Sequence, residues 1–131
     1  MLVKNVMISN VVRVSPFATV REAMRLMKTH QVDSLVVDKR HVHDAYAMIT
    51  YTDILRAIVA EEGDIDLVNV YDICAKPALS ISKEWEVKHA ARLMARMGIH
   101  RVLVTANNEL VGIITMNDIV DAILDQLGEG P

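Results

Sequence analysis

Apolar residues along this chain fall into a few short patterns, and the patterns come in a fixed order. Val20, Ala23, Met24 and Met27 lie at i, i+3, i+4 and i+7, and Val87, Ala90, Ala91 and Met94 repeat the spacing, so each segment predicts an amphipathic helix. Thr19 followed by Glu22 has the spacing of a capping box at the start of the first helix. After each helix come two short β-branched runs, 35–37 and 46–49 in the first half and 102–104 and 110–114 in the second, which predict a pair of strands. Asn107-Asn108 supplies the turn of a tight antiparallel hairpin. A second helix follows each pair, with Ile54, Leu55 and Ile58 on its apolar face in the first half and Ile119, Val120, Ile123 and Leu124 in the second. A further extended run, 11–14 and more weakly 78–81, precedes each first helix.

The two halves are one pattern written twice. Val20-Arg21-Glu22-Ala23 matches Val87-Lys88-His89-Ala90 at an offset of 67, as Leu35-Val36-Val37 matches Val102-Leu103-Val104. After Asp38 the first copy carries two extra residues, and Ala47-Met48-Ile49-Thr50-Tyr51-Thr52-Asp53 pairs with Gly112-Ile113-Ile114-Thr115-Met116-Asn117-Asp118 at an offset of 65. The expected fold is α/β of an α+β-like kind, built from tandem β-α-β-β-α repeats at 1–60 and 70–125. An acidic connector is expected at 61–69, and a frayed tail at 126–131. A three-stranded sheet with two helices is small for independent stability, so the copies are expected to bury a shared face.

Composition narrows the function. The chain has 131 residues, 52% hydrophobic and 24% charged, enough apolar material for a packed core. Its formal charge of −3 provides no broad positive field for nucleic acid, and aromatics make up only 4% of residues, too few for a base-stacking platform. No apolar run approaches the roughly 20 residues of a membrane helix. A single cysteine, Cys74, and no signal-like start make a reducing, cytoplasmic setting the expectation.

The sharpest repeated chemistry is Thr-x-x-Asp where the last strand of each copy meets its helix: Thr50 with Asp53, and Thr115 with Asp118. In a structural role, the threonine caps the helix and the aspartate reaches back to a backbone N–H. In a binding role, the helix start offers N–H groups to an anion, and the carboxylate accepts hydrogen bonds from a vicinal diol, a combination suited to a ribose phosphate. His100-Arg101 opens the first hairpin strand of the second copy and adds phosphate donors, whereas the first copy has Asp33-Ser34 there, with no cation.

The doubled Thr-x-x-Asp, with Gly112-Ile113-Ile114 before Thr115 and Gly98-Ile99-His100-Arg101-Val102-Leu103-Val104 upstream, resembles a pair of cystathionine-beta-synthase (CBS) domains over nearly the whole chain. The resemblance implies two repeats about a pseudo-twofold axis with two clefts that take adenine-containing ligands. Asp53 and Asp118 would each hold a ribose diol, with Thr50, Thr52 and Thr115 near sugar or phosphate. Adenine would rest on Ala78 and Leu79 for the Asp53 cleft and on Val11 and Val12 for the Asp118 cleft, with Met48 among its apolar contacts. His100 and Arg101 would bind phosphate. The departure at Ala47, where the second copy has Gly112, is expected to crowd the approach of a ligand, and the absent cation in the first copy leads to an expectation of one occupied site per chain.

These features lead to a regulatory sensor that binds AMP, ADP or ATP, works as a homodimer, signals to an effector protein, needs no obligatory cofactor and performs no catalysis. The alternatives are a ligand-independent dimerisation scaffold, an S-adenosylmethionine binder, or a metal-responsive protein using His41 and His43, although two imidazoles fall short of a structural metal site and an exposed polar loop is the simpler reading. Met24, Met27, Met94 and Met97 are expected to be core filler, and Cys74 a buried small residue.

Overall fold

The computed structural model describes residues 1–128 and divides into two compact units, one spanning Val11–Ala78 and the other joining Met1–Asn10 to the chain from Leu79 onward. In the first, β1 (Arg13–Val14), α1 (Val20–His30), β2 (Ser34–Val37) and β3 (Ala47–Thr50) form a three-stranded sheet with β2 in the centre, parallel to β1 and antiparallel to β3. Leu35, Val36 and Val37 are all buried, as expected of a short β-branched strand flanked on both edges. The apolar stripe of α1 places Val20, Ala23 and Met27 in the core with Leu35, Val37 and Ile49. Thr19 accepts a hydrogen bond from the Glu22 amide at 3.2 Å, one half of the predicted capping box.

β3 runs directly into α2 (Tyr51–Ile54), which continues as a π-helical stretch over Leu55–Ala60, with the Glu61 amide bonded to the Arg56 carbonyl five residues back. Ile54 is buried and Ile58 packs on the core, but Leu55, expected inside, is 57% exposed. The acidic stretch 61–66 is tied back to α1 through a bidentate Arg21–Asp66 pair, and Val70, at the head of α3 (Val70–Ile73), is fully buried in the same core.

The second unit repeats the plan with β4 (Ser80–Ser82), α4 (Val87–Met97), β5 (Arg101–Ala106), β6 (Glu109–Thr115) and α5 (Met116–Gln126), the sheet order being β4-β5-β6. Asn107 and Asn108, at φ 53° and 63°, form the two-residue turn between paired Ala106 and Glu109, as the dipeptide predicted. α4 ends on Gly98 in the left-handed region, where α1 ends on Gln31 at φ 56°. Of the predicted tail, Gln126 closes α5, and 129–131 lie outside the described residues.

The leading segments pack crosswise with respect to the sequence repeat. Val3, from a 3-10 turn at Val3–Asn5, is fully buried among Ile81, Val87, Met94 and Ile114, and Ile8 pairs with Ile113 in β6. At the equivalent place in the first unit, Ala75 pairs with Met48 in β3. This revises the reading of Gly112. A Cβ there would lie 2.7 Å from Met7 Sδ and 2.9 Å from the Ile8 carbonyl, so the glycine admits the N-terminal segment. Two further expectations fail: Met27 and Met94 are buried, but Met24 and Met97, at the margins of the stripes that α1 and α4 turn to their cores, are 40% and 56% exposed.

Candidate functional site

Thr50 and Thr115 each end a strand in extended backbone and cap the helix that follows. The Thr115 amide and hydroxyl donate to Asp118 Oδ2 at 3.0 and 2.8 Å, and the Asp118 amide donates back to Thr115 Oγ1 at 3.2 Å. The same three bonds link Thr50 and Asp53 at 2.9, 3.2 and 3.5 Å. The capping role is therefore filled in both units. It uses one carboxylate oxygen. Asp118 Oδ1 takes no partner among the described residues, whereas Asp53 Oδ1 lies 3.7 Å from Arg56 Nη1, a neighbour the sequence reading missed although it sits at i+3.

Strand pairing decides what stands beside each junction. Arg101 pairs with Thr115, and the His100 carbonyl accepts from the Met116 amide at 2.9 Å, so His100, Arg101, Thr115 and Asp118 come together at one end of the second sheet. His100 is exposed and Arg101 half-buried. In the first unit, Ser34 pairs with Thr50 and the Asp33 carbonyl accepts from the Tyr51 amide, so an acidic and a neutral residue occupy the corresponding places. Thr52 is exposed on α2, and Met48 is half-buried on β3. Val11, Val12 and Ala78 belong to the unit of Asp53, with the Val12 carbonyl accepting from Val36 and the Ala78 amide donating to Tyr46. Leu79 belongs to the unit of Asp118 and accepts from Leu103 while staying 40% exposed.

Asp118 also lines a cleft of about 430 Å³ with Met1, Asn5 and Val6 from the N-terminal segment and Asp121 and Asp125 from the same face of α5. Nothing local in the sequence announces Asn5 or Met1 as its neighbours, because their placement follows from the burial of Val3. Three carboxylates make this flank better suited to hydroxyls than to phosphate.

The remaining candidates resolve individually. His41 and His43 are exposed, while the Asp44 carboxylate is bound by Lys76 Nζ at 2.6 Å and Arg40 Nε at 3.1 Å, which holds it far below the usual carboxylate range. Arg40 and Lys76 both also lie over the Tyr71 ring, at 4.4 and 4.8 Å. Cys74 is half-buried rather than fully buried, and desolvation pushes its thiol pKa up, the opposite of what an activated nucleophile needs.

The fold and the doubled strand-to-helix junction define a tandem β-α-β-β-α module. The family model for the CBS domain matches residues 3–60 and again 70–125, and the chain belongs to the CBS-domain family. It is similar to an uncharacterised Methanopyrus kandleri protein, 31% identical over 112 residues, which cover 85% of this chain and 57% of that one. Among solved structures, a hexameric CBS-CP12 protein from bloom-forming cyanobacteria is 37% identical with a TM-score of 0.81, covering 92% of this chain and 69% of that one. The Pyrobaculum aerophilum CBS domain protein PAE2072, solved in complex with AMP, is 27% identical with a TM-score of 0.82 over 98% of both chains. CBS pairs are regulatory modules, and the chain is of that kind.

Proposed function

We propose that this chain is a sensor that binds an adenine nucleotide, one per chain, at the Asp118 junction and conveys the bound state to a partner protein in the cytoplasm. The observation that carries the reading is the grouping of Thr115, Asp118, His100 and Arg101 at one sheet end. In this reading Asp118 Oδ1 accepts from a ribose diol, the cleft lined by Asp118, Asp121 and Asp125 receives hydroxyls, and His100 and Arg101 donate to phosphate. The AMP complex of the Pyrobaculum relative supports the ligand class. At the first junction, Arg56 faces Asp53 Oδ1 and no His-Arg pair is present, which favours single occupancy.

Calorimetric titration with AMP, ADP, ATP and S-adenosylmethionine tests this. Saturable heat is expected with at least one adenine nucleotide. Asp118→Asn, which keeps an acceptor for the cap but loses the charge, should weaken it about tenfold or more, and Asp53→Asn should leave it nearly unchanged. Equal affinity in wild type and Asp118→Asn would remove the site assignment.

A homodimer is the second element of the proposal. Val120, Ile123 and Leu124, expected on the apolar face of α5, are 53%, 46% and 38% exposed, and of that expected set only Ile119 is buried; Leu127, just past the end of the helix, is 68% exposed. A stripe of that size at i, i+3, i+4 and i+7 is what a self-associating helix presents. Dimers that persist at low concentration, with a melting temperature indifferent to every adenine ligand, would favour a scaffold over a sensor.

A further inference from the structure

The outward face of α4 in the second unit carries a cavity of about 530 Å³, within the usual range for small-molecule sites. Trp85 and Leu93 supply its apolar surface, and Arg92 and Arg96, one helical turn apart, supply two guanidinium groups. Trp85 is 39% exposed although its backbone is fixed on both sides, the amide donating to Ser82 and the carbonyl accepting from Val3. The charges around the cavity are unequally satisfied. Glu84 is paired with Lys4 at 3.2 Å, and Glu86 with Lys88 and His89 at 3.3 and 3.5 Å. Among the described residues, neither Arg92 nor Arg96 has a carboxylate partner, so the lining holds uncompensated positive charge beside an exposed indole.

Two like charges at i and i+4 are unfavourable for an isolated helix, so helix stability does not call for this pair. The fold does not call for it either, because the first repeat is an internal control. At an offset of 67 it keeps Arg25 in place of Arg92 but has Ala18 in place of Trp85, Glu22 in place of His89 and Thr29 in place of Arg96, so the arginine pair is absent while its α1 still packs into its core as α4 does.

We propose that this cavity binds a small amphipathic anion, with a planar apolar body seated on Trp85 and Leu93 and a carboxylate or phosphate held by the guanidinium forks of Arg92 and Arg96. The site is separate from the Asp118 junction and does not depend on the nucleotide reading. Trp85 is the single tryptophan of the chain, so all indole emission originates at this cavity.

The test uses 8-anilinonaphthalene-1-sulfonate as the probe, an aromatic anion whose sulfonate stands in for the natural head group and which accepts excitation energy from tryptophan. Saturable binding to the full chain with energy transfer from Trp85 is expected. The double variant Arg92→Ala/Arg96→Ala, at exposed positions that leave the core intact, should bind about tenfold or more weakly. Asp118→Asn should bind as wild type does. Three results would each overturn the inference: no saturable binding with transfer, unchanged affinity in the double arginine variant, or loss of binding in Asp118→Asn, which would put the dye at the other site.

Discussion

The two repeats share a register, a sheet order and a capping box at the same junction, yet they present different chemistry. Thr50–Asp53 and Thr115–Asp118 make the same three hydrogen bonds, so the motif repeats because each sheet needs its helix started at that point. Residues that differ between copies are the informative ones. His100-Arg101 stand against Asp33-Ser34, an Asp118 Oδ1 without a partner among the described residues against one facing Arg56, and Trp85 with Arg96 against Ala18 with Thr29, and on these differences rest the proposals for the second repeat. The unit Val11–Ala78 puts its charges into holding itself together, through Arg21–Asp66, Arg13–Asp38 and the Asp44 cluster with Lys76.

The comparison is broken most severely in the cores. Met27 and Met94 are equivalent and both are essentially inaccessible, so Met27→Ala and Met94→Ala should each cost about 2–5 kcal/mol in denaturant unfolding. A loss confined to one variant would mean the two cores are not equivalent. At the position where the copies differ by one methyl, Gly112→Ala should cost about 1–3 kcal/mol, because the new Cβ meets a backbone carbonyl that cannot turn aside. A neutral result in thermal melts would show that the N-terminal segment adjusts.

The smallest effect belongs to the insertion in the first copy. The Asp44 carboxylate pKa is depressed by hydrogen bonds from Lys76 and Arg40, so its stabilising contribution is complete above the unfolded aspartate pKa, about 3.9, and is lost as pH falls toward the lower folded value. Wild type should melt higher than Asp44→Asn at pH 6, with the gap narrowing below about pH 4. A constant gap across that range would assign the effect to shape rather than charge.

Much of the candidate site was legible because its signals are local. Thr-x-x-Asp before an apolar run is a cap whatever surrounds it, and His100-Arg101 stands out once the copies are aligned. Arg56, Asn5, Asp121 and the Trp85 cavity were not legible, since a lone arginine, asparagine or tryptophan has no periodic signature. Leu55 was misplaced because it lies about 100° round the helix from buried Ile54, and only the packing shows which of the two faces the core.

The sequence by itself determined the order of elements, the doubling of the unit, the Asn107-Asn108 hairpin and both capped helix starts, all of which depend on contacts among residues a few positions apart. Only the tertiary structure decided which core each leading segment joins. Val3 is buried with Ile81 and Ile114, and Val70 with Val20 and Ile49, pairings that reach far along the chain and are selected by the burial of one more aliphatic side chain in each core. That choice brings Met1 and Asn5 to Asp118 and explains why Gly112 has no side chain.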